Sequence, residues 1–361
     1  MHLAMHGWLQ GCSTPMSEYT LLNTLYVQTE GSYLHLDNDT IRIEVERQTR
    51  LRVPLHHLSG IVLTGDILVS PALLGRCAES GIGVVFLDRS GRFRARVEGP
   101  VSGNVLLRQA QFAAASVPEQ RLALARPIVA GKIRNARHVV QRGARDAKSA
   151  DDAAALTATA THLESALRGA ATAPDLDTLR GVEGEAARRY FETFTTLLRP
   201  GCRSDFGLNG RNRRPPRDRI NAMLSFVYTL LTHECRSAAE AAGLDAQLGF
   251  LHAVRPGRPA LALDLVEEFR AILADRLVLT LVNRGQIKVD DFRITDGGAV
   301  LMSDEARRTI SVAWQERKRE LLSHPLLETD VPIGVLPQIQ ARLFARTLRG
   351  DADSYLPFLA R

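Results

Sequence analysis

The sequence predicts an α+β chain, a small N-terminal β-rich domain followed by a larger, mainly α-helical one. Three observations lead there. Over the first hundred residues apolar and polar side chains alternate, as in half-buried strands; Leu34 and Leu36, then Ile41, Ile43 and Val45, carry the clearest runs. After Gly103 the apolar spacing becomes helical. The length of 361 residues, with 45% hydrophobic and 24% charged residues, suffices for two domains with cores of their own.

The elements follow in order. "LNTLYVQTEG" and "SYLHLDNDTIRIEVERQTRLRVPL" read as strands, with a turn at "DND". "LSGIVLTGDILVS" adds another strand pair. "SPALLGRCAESG" reads as a short helix with Ser70 as cap, Pro71 at its first position and Gly81 just past its end. "IGVVFLDRSGRFRARVEG" is a buried strand, a turn at "DRSG" and a further strand. Helices then follow at "NVLLRQAQFAAAS", "DDAAALTATATHLESALRGA" and "APDLDTLRGVEGEAARRYFETFTTLL". The segment from Pro118 to Lys148 is one long helix or a broken pair, with Pro127 and Gly131 as candidate breaks. Beyond Gly103 only "GFLH" and "PALAL" suggest strand. The expected division is 1–15 as an extension without structure (Met16 being the natural start), 16–103 as the β-rich domain and 104–361 as the helical domain.

The net charge of +6 favours an acidic partner, nucleic acid before membrane. Cys12, Cys77, Cys202 and Cys235 form no CxxC pair, which argues against a disulfide framework or zinc site and for a reducing compartment. Met1 to Ser17 lacks the continuous apolar core of a signal peptide. Beyond it the longest uncharged run, Ile220 to His233, is too short to span a bilayer.

Some residue groupings suggest chemistry. In "GVEGEAARRYF", Glu183 shares a helix face with Ala186, Ala187 and Tyr190, and the alanines leave room for another group to come close. The bland reading is a solvated first-turn carboxylate complementing the helix dipole. In "LGFLHAVRPGRPALALDLVEEFR", His252 ends an apolar run. Asp264 and Glu267 share one face of the next helix, while Leu265, Phe269 and Ile272 anchor it. Glu268 belongs to neither face. Carboxylates with one imidazole suit a hard cation, Mg²⁺ or Mn²⁺. A lone histidine after an apolar run is more often a core or turn residue, and spacing alone does not bring Glu183 to His252.

Basic residues gather in two segments. Eight Lys/Arg lie between Pro118 and Lys148, among them Lys132, Arg134 and Arg137. The Gly/Pro-rich "CRSDFGLNGRNRRPPRDRINA" carries Arg211, Arg213, Arg214 and Arg217. Guanidinium forks suit phosphates, so both segments are candidates for a nucleic-acid backbone; a solvated basic face is the alternative.

Together these stretches resemble a known family. "GVEGEAARRYF", "RRPPRDRINAMLSFVYTLL", "GFLHAVRPGRPALALDLVEEFR" and "LADRLVLTLVNRGQI" look like the CRISPR-associated adaptation integrase, and "SPALLGRCAESGIGVVFLDRSGRF" and "GNVLLRQAQF" fit it. "GGAVLMSDEARRTISVAWQERKRE" resembles its I-C subtype. The resemblance covers nearly the whole chain from about Met16.

It implies a metal-dependent DNA endonuclease and integrase of the cytoplasm. Such an enzyme inserts short foreign double-stranded DNA, the protospacer, into a CRISPR repeat array by 3′-hydroxyl attack on a phosphodiester. It implies Glu183, His252 and Glu267 as ligands of Mg²⁺ or Mn²⁺, Asp264 as a second acidic residue, and Arg270 beside the site. Asn221 and Ser225 are expected to line the same pocket. The implied partners are a second copy, paired through the β-rich domain, and a small ferredoxin-like adaptation subunit; an accessory Cas nuclease stays open. Two rivals remain, a stand-alone nuclease for branched DNA in repair and a non-catalytic DNA-binding scaffold. The scaffold ranks last, having no use for the three ligand residues together.

Overall fold

The computed structural model describes residues 18–21, 24–58, 60–88, 93–97, 99, 105–212 and 215–360. The expected extension 1–15, the turn residues 89–92, and Arg213 and Arg214 therefore lie outside the described residues. The chain divides into two compact units. One runs to Asp88 and takes in Arg94–Gly99; the other holds Arg89–Phe93 and everything from Pro100.

In chain order the first unit contains β1 (Glu18–Leu21), β2 (Thr24–Val27), β3 (Tyr33–Asp37), β4 (Thr40–Val45), β5 (Gln48–Pro54), β6 (Gly60–Thr64), β7 (Leu68–Val69), α1 (Pro71–Glu79), β8 (Gly83–Leu87) and all but the first residue of β9 (Phe93–Val97). They form two sheets, ordered β1-β2-β6-β8-β9 and β5-β4-β3-β7. The register explains the sequence pattern. β3 and β4 pair antiparallel with Leu34 opposite Ile43 and Leu36 opposite Ile41, so one face of the hairpin is apolar. Leu34, Ile41 and Ile43 are completely buried, in a core shared with Leu25, Ile61, Leu73 and Val84. The turn at Asn38 adopts φ 55°, a conformation Asn tolerates. The Ser70 hydroxyl caps α1 by accepting from the Leu73 amide (3.2 Å), and Gly81 follows it at φ 69°.

The second unit is mainly helical: α2 (Val105–Ser116), α3 (Pro118–Asp146), α4 (Ala150–Thr172), α5 (Leu176–Glu192), α6 (Arg219–Ala241), α7 (Ala260–Phe269), α8 (Arg276–Asn283), α9 (Asp304–Arg319) and α10 (Leu336–Arg349). A π-helical stretch, Arg270–Asp275, joins α7 to α8. Three expectations change here. Neither Pro127 nor Gly131 breaks α3. A proline inside a helix costs about 3 kcal/mol, but α3 buries eleven residues, among them Ile128, Val129 and Ile133, and packing outweighs that penalty. Gly131 is instead a close approach: a Cβ there would stand 2.7 Å from Cβ of Pro357. Neither "GFLH" nor "PALAL" is strand; the first is irregular backbone, and α7 begins within the second. Strands do occur later, in two small hairpins, β10 (Phe292–Ile294) with β11 (Val300–Met302), and β12 (Leu321–His324) with β13 (Thr329–Pro332).

Helix α5 starts seven residues before Glu183, at an Asp175 cap whose carboxylate accepts from the Thr178 amide (2.7 Å). Glu183 is thus a mid-helix residue and not a first-turn charge. Among the described residues no helix is long and apolar enough to cross a membrane.

Candidate active site

The site is built on α3, α5, the loop before α7, and α7 itself. That loop is fixed from both sides of its backbone. Asp264, fully buried on α7, accepts from the amides of Phe250 (2.6 Å), Leu251 (3.0 Å) and His252 (2.9 Å) and pairs with His252 Nδ1 at 2.7 Å. The carbonyls facing the other way are taken by arginines: Arg121 Nε donates to Phe250 O (2.8 Å), and Arg180 donates twice to Leu251 O (2.9 and 2.6 Å). Gly249 permits the loop to touch α7, since a Cβ there would lie 2.6 Å from the carbonyl carbon of Ala260. Asp264 thereby sets the imidazole: with Nδ1 engaged, Nε2 faces the remaining groups as the available ring nitrogen.

Those groups meet around Glu267, which is 2% exposed. His252 Nε2 is 3.6 Å from Glu267 Oε1, and Arg270 is 3.0 Å from the same oxygen. Lys132, from α3, places its ammonium 2.8 Å from Glu267 Oε2 and donates a hydrogen bond to Glu183 Oε1. The Lys132 ammonium is thus the partner of the buried Oε2. Burial alone would raise the Glu267 carboxyl. Arg270, then Lys132 and His252, overcome that and hold it well below the usual carboxylate range.

The structure brings together Glu183, His252, Asp264, Glu267 and Arg270, five residues 87 positions apart at their extremes. Asp264 is spent on positioning His252. Glu183 connects to Glu267 through the Lys132 ammonium, and among the described residues no three His, Cys, Asp or Glu side chains form a ready metal cluster. The donor set still fits a hard divalent cation. It offers two carboxylates whose facing oxygens already share one cation, the Lys132 ammonium, and an imidazole whose other nitrogen is already oriented.

Behind the charged groups lies a second layer. Asp275, 1% exposed, accepts from the hydroxyls of Tyr228 (2.6 Å) and Tyr190 (2.9 Å). Burial pushes its carboxyl up to about 6, against the two hydroxyls, Arg270 and Arg211, which pull it down. Arg270 and Arg211 each stand over the Tyr228 ring, 4.9 and 5.2 Å from its centroid. A small open recess adjoins the site, lined among others by Lys132, Ala186, Ala187, Tyr190, Tyr228 and Arg270.

The other expected residues scatter. Asn221 and Ser225 do not line this recess. Asn221 is completely buried, and its amide holds the preceding loop: it donates to Gly210 O and Asp218 and accepts from the Asn212 amide and Arg211. Ser225 accepts from Arg211 as well. Arg211 thus turns inward, Arg137 pairs with Glu164 at 2.9 Å, and Lys132 is held by the two carboxylates. Arg134 and Arg217 are exposed. Arg121, Arg180, Tyr228 and Asp275 have roles that no local sequence signal revealed.

The sequence model for the CRISPR associated protein Cas1 matches residues 25–316. The chain belongs to the Cas1 family. It is 55% identical over 343 residues to a CRISPR-associated endonuclease Cas1 of Moorella thermoacetica, covering 95% of this chain and 100% of that one. A second, from Rhodospirillum rubrum, is 51% identical over 342 residues, covering 94% and 98%. The solved structure of a Cas1 protein from Thermotoga maritima has the same fold, with a TM-score of 0.78, 23% identity and coverage of 94% and 99%. As a Cas1 protein the chain is a CRISPR-associated endonuclease, and the expected order of a β-rich region before a helical one is the Cas1 architecture.

Proposed function

We propose that this Cas1 protein is a metal-dependent integrase as well as a nuclease, joining the 3′-hydroxyl ends of short foreign DNA into a CRISPR repeat array. The observation that carries the reading is the convergence of Glu183, His252 and Glu267 with two cations, Lys132 and Arg270, at one point. Glu183, His252 and Glu267 would hold Mg²⁺ or Mn²⁺. The bound ion would supply charge stabilisation for a phosphodiester under attack.

The chain's own residues do the rest. Asp264 keeps Nδ1 of His252 engaged and so presents Nε2. Arg121 and Arg180 hold the loop that carries the imidazole. Arg270, kept in place by Glu267 and the Tyr228 ring, offers a guanidinium to the anionic oxygens of a crowded phosphate. Hydrolysis and strand joining would then differ only in the nucleophile, water or a 3′-hydroxyl. Exposed Arg134 and Arg217, with Arg213 and Arg214, are the proposed contacts to the DNA backbone.

The reading extends to partners. A chain of this fold, 25% identical with a TM-score of 0.63 and coverage of 92% and 96%, occurs in a structure of a partial Cas6-RT-Cas1–Cas2 complex. That supports Cas2 as the small ferredoxin-like subunit. A Geobacter sulfurreducens relative, 37% identical over 339 residues, is a fusion of a Cas4 exonuclease with a Cas1 endonuclease; this chain spans 60% of it. That supports Cas4 as the accessory nuclease. Pairing of two copies through the β-rich unit, membership of the I-C subtype and a cytoplasmic location complete the proposal.

A strand-joining assay tests it. Purified protein, with and without its small partner, is mixed with a duplex bearing free 3′-hydroxyls and a plasmid carrying the repeat, in Mn²⁺, Mg²⁺ or chelator. Metal-dependent joined product, lost in Glu183→Ala and His252→Ala, is expected. Cutting of branched DNA without any joining would instead favour a stand-alone nuclease.

A further inference from the structure

Lys132 sits where a metal ligand set and a cation cannot both be satisfied. Its ammonium contacts Glu183 and lies 2.8 Å from Glu267, so its single charge bridges two carboxylates brought together from α5 and α7, with Arg270 as the second cation on Glu267. Without a cation between them these groups would repel each other. A divalent ion binding the same oxygens needs that position, and it would be repelled by an ammonium left there.

Two features make displacement feasible. The α3 backbone around Lys132 is anchored, with Gly131 against Pro357 and Ile133 buried, but the side chain has four flexible methylenes. The open recess walled by Ala186 and Ala187 lies alongside, and Lys132 lines it. An ammonium moved off the carboxylates stays at the mouth of the site, beside Arg270, as a free donor for an anion.

We propose that Lys132 is a displaceable counter-ion. It holds Glu183 and Glu267 together in the metal-free protein, yields their oxygens to a divalent cation, and then turns to a DNA phosphate. Cation binding and DNA binding are thereby coupled through one side chain. This inference rests on the assignment of Glu183, His252 and Glu267 as metal ligands.

The test uses the full chain as wild type, Lys132→Met and Glu183→Gln. Mn²⁺ is titrated calorimetrically, thermal unfolding is followed with and without Mn²⁺, and binding of an uncleavable phosphorothioate duplex is read by anisotropy. Lys132→Met should melt lower without metal and bind Mn²⁺ about tenfold more tightly or better, within the usual range of coupling between sites. Its DNA affinity should match wild type without Mn²⁺ and fall below wild type with it. Should Lys132→Met not fold, Lys132→Gln carries the same expectation, since it keeps a hydrogen bond and removes the charge. Equal or weaker Mn²⁺ binding by the neutral variant would overturn the counter-ion role. Glu183→Gln separates the two readings: if it binds Mn²⁺ as wild type does, the ligand assignment fails first, whatever Lys132 does.

Discussion

Asp275 offers a quantitative check on the layer behind the site. It is buried, accepts from two tyrosine hydroxyls, and lies near Arg270 and Arg211. Burial dominates and raises its carboxyl from 3.8 to about 6. A raised value means that the folded state holds the proton more tightly than the unfolded state. The associated stability is fully present below about pH 4 and is lost as pH rises through about 6. A shift of this size is worth about 3 kcal/mol in total, and about 2 kcal/mol of it falls between about pH 4.5 and 7.5. Asp275→Asn removes the titration and keeps the shape, at a fixed cost of about 1 kcal/mol for a rearranged hydrogen bond. Following the thermal unfolding of both proteins across that range isolates the group from every other titration. The gap between the curves should close or reverse with rising pH, by roughly 4–8 °C for a unit of this size. Parallel curves would refute the account of Asp275 as a carboxyl kept partly protonated by burial.

Other expectations follow from the geometry. Asp264→Asn leaves at least one of the three loop amides without its acceptor, and where its NH2 faces His252 it donates to Nδ1 and reverses that hydrogen bond; nuclease activity and Mn²⁺ affinity should each fall about 10- to 100-fold in cleavage and calorimetric assays. Gly249→Ala puts a Cβ 2.6 Å from the Ala260 carbonyl carbon, so the histidine loop must move. Activity should drop by about 10²-fold, with little change in far-ultraviolet circular dichroism. Removing the exposed charges of Arg134 and Arg217 should reduce the slope of log affinity against log salt by about 0.9 for each lost phosphate contact, with no change in base preference. A filter-binding salt series reads this directly.

Much of the fold was legible because each signal was local. Leu34, Ile41 and Ile43 alternate within one hairpin, and Ser70 and Pro71 mark a helix start at the residue where α1 begins. What failed locally was decided by distant packing. Pro127 looks like a break until the buried face of α3 is counted, and Gly131 looks like one until Pro357 is set against it. The two late hairpins have strands of three or four residues, too short for a period to emerge. At the site, Glu183, His252 and Glu267 were readable from their motifs, but the work of Asp264 was not, since it depends on three successive amides turning toward one carboxylate. Tyr190 and Tyr228 reach Asp275 across 85 and 47 residues, and no spacing rule covers such separations.

Glu268, next to the proposed ligand Glu267, has its own consequence. Its buried carboxylate is satisfied by the Tyr355 hydroxyl, Gln340 Nε2 (3.0 Å) and the Phe358 amide (2.6 Å), the last 90 residues further along the chain. While α7 is emerging from the ribosome, those donors have not yet been made. Packing α7 into the core before the segment around Tyr355 arrives would strip water from Glu268 with no donor to replace it. Burial of α7 is thereby tied to the C-terminal segment that holds Tyr355 and Phe358. A nascent chain stalled before Tyr355 should remain protease-sensitive at α7 and inert toward DNA.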